Sequence, residues 1–511
     1  MRREDWEKYI PDFKEKTAAF YSGQIKKAEY KGFSGFYGSY AQRSQDASML
    51  RLRMPAGRVT KEKLDFIARM IREYQIDCVH VTTCETIQLH NLKEQAVVEL
   101  VEKALDAGII TLGGGGDYPR NVMCSPLSGV EANEYFDVMP WAEAAGEYLL
   151  SFIFAEKMPR KLKVCFSNSL KNIPHATYRD LGFVATPEGN FDVYSAGGLG
   201  NNARFGVKVA ENVPPEKILY YIKAMWLTFR AYGNYGNRGR ARTRYMQEML
   251  GGPQEYVKAY QEKLKSVFES GEDLDLKVEP HKIQKKEDGT RISGRRILPQ
   301  KQNGLYTVIW HPVGGLPRPE DLCRLSDALA DMEEVELRLS PDETIYIINL
   351  TGEEAEEILR VTADSAETVF ETSVSCIGAQ ICQVGLRDSQ GLLKKCIQAV
   401  REAGIPDGAL PQMHISGCPS SCGTHQTGAL GFRGSFLLVD KNPEPAFVLY
   451  VNGCEIQGQE RFGHEVGTML EEKIPAFLVE MGQTVADSGM DFADWLRENP
   501  DGVDYLAKKY L

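Results

Sequence analysis

The chain has 511 residues, of which 43% are hydrophobic and 26% are charged, and its formal net charge is −11. Such a chain can bury ample apolar core and divides into two to four domains. The negative charge argues against nucleic acid or an anionic membrane as principal partner, because both need a broad basic surface. A small anionic ligand would be repelled at long range, so binding one requires a local cationic pocket.

The cysteine content and the N-terminus predict a cytoplasmic protein with reduced thiols. No charged-then-apolar leader is visible at the start of the sequence. No apolar run reaches the length of about eighteen residues that membrane insertion requires. The eleven cysteines are odd in number and unevenly spread, which favours free thiols, available as ligands, over a disulfide framework.

An internal repeat predicts the fold. Residues 85–92, ETIQLHNL, match residues 343–350, ETIYIINL, at five of eight positions, and Gly57 matches Gly315 at the same separation of 258 residues. Within the first copy, hydrophobic patterning predicts a strand over 49–54, a helix over 61–74, one or two strands in 78–92 and a helix over 94–107. The sequence therefore predicts an internally duplicated α+β protein with two ferredoxin-like half-domains, each followed by a larger α+β domain.

The predicted domains follow from this repeat. They are an N-terminal extension (1–40), a first half-domain (41–112), a first larger domain (113–300), a second half-domain (301–371) and a second larger domain (372–511). The charged, glycine-containing stretch 284–290 marks a surface turn near the junction. Clustered cysteines lie in the second half, whereas the densest basic segments lie in the first, at 51–53, 120, 160–163 and 238–244. This separation predicts a site between the halves.

Four cysteines form the most specific motif of the chain. Cys376 and Cys382 have five residues between them, and Cys418 and Cys422 lie in the segment GCPSSCG at 417–423. Four convergent thiolates flanked by glycine and proline are typical of an iron–sulfur cluster, because the backbone can pass close to a bulky inorganic core. One alternative is structural zinc, although zinc pairs are usually two to four residues apart. The other is that all four are buried apolar residues.

From about Gly32 to the C-terminus, the chain resembles the siroheme-containing sulfite and nitrite reductases, which share the duplication. In that family a C-x5-C pair and a GCPxxC pair hold a [4Fe–4S] cluster. The resemblance implies that Cys376, Cys382, Cys418 and Cys422 are the cluster ligands and that Cys422 also bridges to the siroheme iron. A shared sulfur would couple the cluster directly to the haem, as single-electron delivery to one substrate requires.

Three further segments carry the resemblance. Residues 50–57, LRLRMPAG, are similar to the family's LRxRxPGG; residues 119–124, PRNVMC, to its NRNVxC; and residues 159–163, PRKLK, to its PRKxK. They imply Arg51, Arg120, Lys161 and Lys163 as the catalytic cations around the substrate. A lone arginine or lysine is ordinarily a solvated surface residue, but four occur jointly inside family motifs. Many nitrite-specific members replace one lysine with asparagine, so two lysines favour sulfite.

The resemblance also implies siroheme contacts. Arg242 resembles a family cation that pairs with a ring carboxylate, although the basic run 238–244 could instead be an exposed helix. Gly198, in the segment AGGLG at 196–200, is similar to a family turn that lets backbone lie close to the macrocycle. Glycine turns are common, so this match is weak on its own.

One stretch departs from the family. The pattern T-x-R-Q-x-x-Q is here TTCETIQ at 82–88, which implies cofactor contacts from Thr82 and Gln88. Cys84 and Glu85 replace the arginine that binds a siroheme carboxylate and the glutamine beside it. An anchoring cation is therefore missing at this edge of the ring.

The sequence predicts the six-electron reduction of sulfite to sulfide. No GxGxxG fingerprint opens a strand–turn–helix unit, so a ferredoxin or a separate reductase subunit is expected as electron donor. Reduction of nitrite to ammonia is the first alternative, because CIGAQIC at 376–382 is closer to the CTGxxxC of nitrite reductases. The others are a non-catalytic electron-carrying or siroheme-binding subunit and a zinc-stabilised binding protein.

Overall fold

Four sheets organise the protein, which a computed structural model describes over residues 3–511. Sheets I and III are antiparallel and belong to the two ferredoxin-like units, whereas sheets II and IV are mixed and repeat each other strand for strand. The predicted duplicated α+β fold is confirmed. None of the helices in residues 3–511 is long and apolar enough to cross a bilayer.

Sheet I follows an N-terminal helical segment. That segment contains α1 (Glu4–Glu7), α2 (Ile10–Tyr21) and α3 (Lys27–Ser34). The next elements are β1 (Ser39–Ala41), β2 (Ser48–Leu52), β3 (Arg58–Val59), α4 (Lys61–Tyr74), β4 (Val79–Val81), β5 (Ile87–Leu92) and α5 (Glu94–Asp106). The sheet order is β1-β2-β5-β4. Helix α4 begins where the Thr60 hydroxyl caps the Lys63 N–H, and it buries one apolar face against the sheet.

Sheet II has the order β10-β9-β8-β7-β6. Its unit contains β6 (Met123–Cys124), α6 (Met139–Leu150), β7 (Val164–Ser167), β8 (Leu181–Ala185), β9 (Phe191–Ser195), β10 (Val207–Val213), α7 (Ile218–Tyr232), α8 (Tyr245–Met249) and α9 (Pro253–Glu269). Strands β6, β7 and β8 are parallel, so the loops after β6 and β7 leave the same edge of the sheet.

Sheet III repeats sheet I and has the order β11-β12-β14-β13-β3. Its own elements are β11 (Ile297–Pro299), β12 (Tyr306–Trp310), α10 (Pro319–Leu329), β13 (Glu336–Leu339), β14 (Ile345–Leu350) and α11 (Gly352–Val361). Its fifth strand, β3, comes from the first half and pairs with β13 through Val59 and Leu337. Sheets I and III share one continuous hydrophobic core.

Sheet IV repeats sheet II and has the order β15-β16-β17-β18-β19. The unit contains β15 (Val374–Ser375), α12 (Gly378–Ile381), α13 (Ser389–Glu402), β16 (Met413–Ser416), β17 (Leu430–Val439), β18 (Asn442–Val451), β19 (His464–Leu470), α14 (Ile474–Ser488), α15 (Phe492–Glu498) and α16 (Gly502–Ala507). Strands β17 and β18 are ten residues each, twice the length of β8 and β9. The second hairpin therefore projects further than the first.

The repeated glycines mark where the two halves cross. At Gly57 a Cβ would lie 2.8 Å from the Leu339 carbonyl oxygen, and at Gly315 it would lie 2.6 Å from that of Val81. Both glycines have positive φ, of 70° and 67°. Each thus permits a close approach to a strand of the other half, in a backbone conformation that other residues adopt only at a cost.

Two buried glutamates repeat with the glycines. Glu85 Oε2 accepts the Cys124 N–H at 2.9 Å, and Glu343 Oε2 accepts the Ser375 N–H at 3.1 Å. Both side chains are fully buried, and burial raises both pKa values above the ordinary range. Glu85, a departure from the family pattern, is therefore a structural residue that ties the turn between β4 and β5 to β6.

Glu343 provides a test of this role. Glu343→Ala removes the acceptor for the Ser375 N–H and leaves a void, so we expect the free energy of unfolding to fall by about 2–3 kcal/mol in urea denaturation. Glu343→Gln, the matched control, retains the acceptor. Because the folded-state pKa of Glu343 is raised, its stabilisation is complete at low pH and is lost as the pH rises above 4.5. Between pH 5 and 8, the free energy of unfolding of the Glu343→Gln variant should therefore fall less than that of the parent protein. An equal fall in both proteins would contradict the view that Glu343 is a neutral acid in the folded protein.

Candidate functional site

Parallel strands bring the four predicted cluster ligands together. Cys376 directly follows β15, and Cys418 follows the adjacent parallel strand β16 by one intervening residue, so both lie at the same sheet edge. Cys382 follows the short helix α12, and Cys422 ends the turn that begins at Cys418. The Gly417 N–H donates to Cys376 Sγ at 3.2 Å, a contact suited to an anionic sulfur ligand.

The four thiols lie close enough to influence one another. Burial, together with the charges of Cys376, Cys418 and Cys382, raises the pKa of Cys422 to about 12, although Lys161 opposes the shift. Four cysteine thiolates that converge on one space are the ligand set of a [4Fe–4S] cluster.

The first half has the same turn without the thiols. Ser167 ends β7 and Leu181 begins β8, the same interval that separates Ser416 from Leu430 in the second half. The equal lengths place Ser169 at the position of Cys418 and Ile173 at that of Cys422. A cluster can therefore be held only by the second of the two repeated turns.

The second feature of the site is a group of neighbouring cations, here called the cationic hollow: Arg51, Arg120, Lys161, Lys163, Arg242 and Arg244. Two of its arginines, both from the first half, lie side by side. Arg51, on β2, donates from Nη1 to the Gly114 carbonyl oxygen at 2.5 Å, and Arg120 donates to the same oxygen and, at 2.9 Å, to that of Gly116. Burial and the Arg51 charge lower the pKa of Arg120 to about 10. Arg53, buried behind them, donates to the carbonyl oxygens of Pro119 and Arg120, both at 2.9 Å, and fixes this segment.

The predicted lysines flank a buried leucine. Leu162 forms a parallel bridge with Pro119, and Lys161 and Lys163 lie on either side of it, just before β7. This alternation places both ammonium groups on the face opposite the Leu162 side chain, as the sequence predicts. Lys161 has no hydrogen-bond or ion-pair partner within residues 3–511, and burial followed by the charges of Lys163 and Arg242 lowers its pKa well below the ordinary value.

The cations and the thiols meet across the halves. The Thr83 hydroxyl donates to the Cys422 carbonyl oxygen at 2.8 Å, which ties the turn after β4 to the cysteine turn. The Cys422 charge also acts on Lys161 and opposes the lowering of its pKa. Cys422 is exposed although the surrounding protein desolvates it. Its surface is therefore open to a ligand, although the protein around it is dense enough to raise the pKa of the thiol.

Unpaired donors rim this hollow. Arg242 donates from Nη2 to both carboxylate oxygens of Asp180 at 3.1 Å, and Arg244 donates to the Asn201 carbonyl oxygen at 2.7 Å. Arg242 Nε, Arg244 Nη1 and Arg204 Nε are nevertheless buried without a partner in the described part of the chain. Donors left unpaired in a hollow fit a ligand with several carboxylates, such as siroheme.

The remaining predicted contacts have local roles. Gly198 lies beneath Arg244, since a Cβ there would be 3.4 Å from Arg244 Nη1. Thr82 Oγ1 is 2.7 Å from Thr86 Oγ1 and closes the turn between β4 and β5. Gln88, with its amide oriented so that oxygen is the acceptor, accepts from Arg51 Nη2 at 2.5 Å. Contacts of Gly198, Thr82 and Gln88 with a cofactor stay predictions.

The sequence did not point to Arg204, and it marked Cys84 only as a departure from the family pattern. The backbone of Arg204 forms an antiparallel bridge with that of Gly198 in the AGGLG turn. Its Nε is one of the donors that are buried without a partner in the described part of the chain. Cys84 Sγ accepts from Lys163 Nζ at 3.1 Å. Arg204 could have been suspected from its closeness to the glycine turn, whereas the Cys84–Lys163 contact joins residues 79 apart and left no signal in either motif.

Two family models match the first half of the chain. The model described as "Nitrite/Sulfite reductase ferredoxin-like half domain" matches residues 40–107, and that described as "Nitrite and sulphite reductase 4Fe-4S domain" matches residues 115–268. The matched segments contain sheet I and sheet II respectively. The cysteines that would hold the cluster lie outside both, in the structural repeat of the second segment.

Relatives extend the similarity to most of the chain. The chloroplastic ferredoxin–nitrite reductase of Spinacia oleracea is 26% identical, over 84% of this chain and 72% of its own. The ferredoxin–nitrite reductase of Leptolyngbya laminosa is 26% identical over 84% of both chains. Sulfite reductase [ferredoxin] 1 of Mycolicibacterium paratuberculosis is 23% identical over 81% of this chain and 77% of its own.

A solved structure supports the fold. The Mycobacterium tuberculosis NirA protein matches with a TM-score of 0.76 and 21% identity, over 92% of this chain and 90% of that chain. The duplicated sheets, the four thiols and the cation-lined hollow agree with the cofactors of the resembling family, a [4Fe–4S] cluster and siroheme. Two segments of the chain therefore match models of nitrite and sulfite reductase domains, and the relatives named above extend this similarity over most of its length.

Proposed function

We propose that this chain catalyses the six-electron reduction of a small oxyanion, sulfite to sulfide or nitrite to ammonia, in the hollow between its halves. The observation that carries the proposal is Lys161, which has no hydrogen-bond or ion-pair partner within residues 3–511 and lies near enough to Arg120 and Cys422 for both charges to act on it. Cations buried without counter-ions are costly unless an anion joins them. A surface role or a passive carrier would not require this arrangement.

The cofactors have matching ligands in the chain. Cys376, Cys382, Cys418 and Cys422 would hold the [4Fe–4S] cluster, and Cys422 would also hold the siroheme iron, with Arg204, Arg242 and Arg244 around the ring carboxylates. When bound, the cluster supplies electrons singly and the siroheme iron supplies the position at which the substrate is reduced.

The cations of the chain bind the substrate and supply protons. Arg51 and Arg120 are held by carbonyl oxygens of the 114–116 turn, so they are preorganised for an anionic oxygen. Because the pKa of Lys161 is lowered, its ammonium releases a proton more readily than an exposed lysine does. Lys161 is therefore suited to protonate an oxygen that leaves as water.

Two substrates share this proposal. A set of two arginines and two lysines favours sulfite, as the sequence analysis predicts. Nitrite is favoured by the ferredoxin–nitrite reductases among the relatives. The same relatives support a ferredoxin as the electron donor.

An apolar surface beside the cluster loop suits such a donor. Val384 and Leu386, just after Cys382, are 54% and 51% exposed, and Phe436 on the long β17–β18 hairpin is 57% exposed. The Arg387 Nε donates to the Ser435 carbonyl oxygen at 2.5 Å, which joins the cluster loop to the hairpin. We propose that a small electron-carrier protein docks on this surface, because electrons must enter where the cluster comes nearest to the exterior.

Cofactor content is the first test. Anaerobically purified protein should carry about four cluster irons and one siroheme iron, and its visible spectrum should shift on addition of sulfite or nitrite. Cys418→Ser should lose most cluster iron and acid-labile sulfide. Cys78→Ser, a half-buried cysteine outside the site, is the matched control and should lose neither. A colourless parent protein would refute the proposal.

Lys161 tests the cationic hollow. Lys161→Met should lower kcat/KM for the preferred anion by roughly 100-fold, because a donor to the developing charge is removed, while siroheme and iron content stay the same. The control is Lys171→Met, since Lys171 forms only an exposed ion pair with Glu131. Equal kcat/KM values for the two variants would show that Lys161 does not take part in the reaction.

The docking surface is tested with two electron sources. Leu386→Gln and Phe436→Ser should raise the KM for reduced ferredoxin by about 5- to 10-fold, because an apolar contact is lost, and should leave turnover with a small-molecule reductant unchanged. Tyr505→Ser, at a residue 68% exposed on α16, is the control. Unchanged KM values for ferredoxin would exclude this surface as the docking site.

A further inference from the structure

Cys84 is held rigidly at the edge of the cationic hollow. Its carbonyl oxygen accepts from Asn121 Nδ2 at 3.2 Å, and the same amide donates to the Glu85 carbonyl oxygen at 3.0 Å. On its other side, Thr83 is bound to the Cys422 carbonyl oxygen. The backbone on both sides is thus anchored, which fixes the direction of the Cys84 Cα–Cβ bond.

That direction brings its sulfur to a predicted substrate-binding lysine. Lys163 Nζ donates to Cys84 Sγ at 3.1 Å, within the distance of a hydrogen bond to sulfur. Burial would raise the pKa of Cys84, but the charges of Lys163, Arg179 and Lys161 outweigh it and lower the pKa to about 6. Near neutral pH the Cys84 sulfur is therefore mostly thiolate and lies within hydrogen-bond distance of Lys163 Nζ.

The neighbouring lysine has no such partner. Lys161 makes no hydrogen bond or ion pair within the described residues, so its charge is available to a ligand. Lys163, by contrast, forms a hydrogen bond with Cys84 Sγ, so part of its charge is already offset by the sulfur. The two lysines that the sequence presents as equivalent are thus different in the folded protein.

We infer that Cys84 is a specificity-determining residue of this pocket: by engaging Lys163 it leaves Arg51, Arg120 and Lys161 as the cations offered to the substrate, which selects nitrite over sulfite. This inference rests on the proposed function, whose two substrates it separates. It assigns to Cys84 a positioning role that acts through Lys163.

Charge and shape give the selection its direction. Nitrite carries one negative charge and two oxygens, whereas fully ionised sulfite carries two charges and three oxygens. Neutralising one of four cations weakens attraction for a doubly charged anion about twice as much as for a singly charged one. At contact distances and an intermediate dielectric constant, the difference is about tenfold or more in relative affinity. A set of three cations also suits the two oxygens of nitrite better than the three oxygens of sulfite.

Substitutions at Cys84 test the inference in the holoenzyme. Cys84→Ala frees Lys163, so the ratio of kcat/KM for sulfite to that for nitrite should rise about tenfold. Cys84→Ser, nearly the same size but uncharged near neutral pH, should shift the ratio in the same direction and covers the case in which the alanine variant folds poorly. Cys78→Ala is the matched control. An unchanged ratio in Cys84→Ser with full cofactor content overturns the inference.

A double-mutant cycle locates the effect on Lys163. With Cys84 present, Lys163→Asn should change the substrate ratio by less than about twofold, because that charge is already engaged. In the Cys84→Ala background, the same change should reverse most of the gain for sulfite. Equal effects of Lys163→Asn in both backgrounds would show that the two residues act independently and would overturn the inference.

Thiol chemistry gives a readout that needs no turnover. Alkylation of Cys84 by iodoacetamide at pH 7, followed by peptide mass spectrometry, should be about tenfold slower in Lys163→Met, because the thiolate loses its counter-ion. An unchanged rate overturns the pairing. If neither anion is reduced by protein that carries both cofactors, the proposed function fails, and the alkylation rate still reports whether Cys84 engages Lys163.

Discussion

Concentrated positive charge in one hollow is the constraint on which the rest of this molecule depends. The chain as a whole is strongly acidic, yet five cations converge here, of which Arg242 has the Asp180 carboxylate as a partner: Arg51, Arg120, Lys161, Arg242 and Arg244. Within residues 3–511, several of their nitrogen donors are buried without a partner. Such an arrangement persists only if surrounding backbone holds the cations against their mutual repulsion and if anions enter the space. The carbonyl oxygens of the 114–116 turn and the Arg53 contacts meet the first condition. The proposed polycarboxylate cofactor and anionic substrate would meet the second.

Duplication allows this charge to be balanced without conflict. The same mixed sheet occurs twice, and each copy offers loops at the carboxyl ends of its parallel strands. The first copy has cations near those loops and Ser169 and Ile173 where thiols would be, whereas the second has the thiols. Neither copy alone has both groups. The hollow therefore requires the packing of the halves, which the crossing at Gly57 and Gly315 fixes.

The sequence predicted much of this because its signals were local. Helix α4 matches the predicted span of 61–74, since a capping threonine and a regular apolar face define it, and the duplicated glycines gave the fold. The cysteine spacing and the PRKLK segment were local signals as well, and they predicted the candidate site residues. Contacts between segments that are distant in the chain left no pattern in the sequence. Examples are the pairing of β3 with sheet III, the buried Arg204 Nε and the hydrogen bond between Lys163 and Cys84. In the sequence, Glu85 is only a departure from the family pattern; its buried hydrogen bond with the Cys124 N–H gives it a structural role that the motif did not show.

The exchange of β3 has a consequence for biosynthesis. Residues 58–59 leave the ribosome early, but their partner strand β13 follows nearly three hundred residues later. Until then this short strand has no sheet to join, and the core common to sheets I and III stays incomplete. The hollow, which needs loops from both halves, cannot close during early translation. The candidate cluster ligands end at Cys422, so the proposed cofactors can be bound only after the second half has been made through that residue. A first half made alone would expose apolar surface that the shared core otherwise covers, together with its cations.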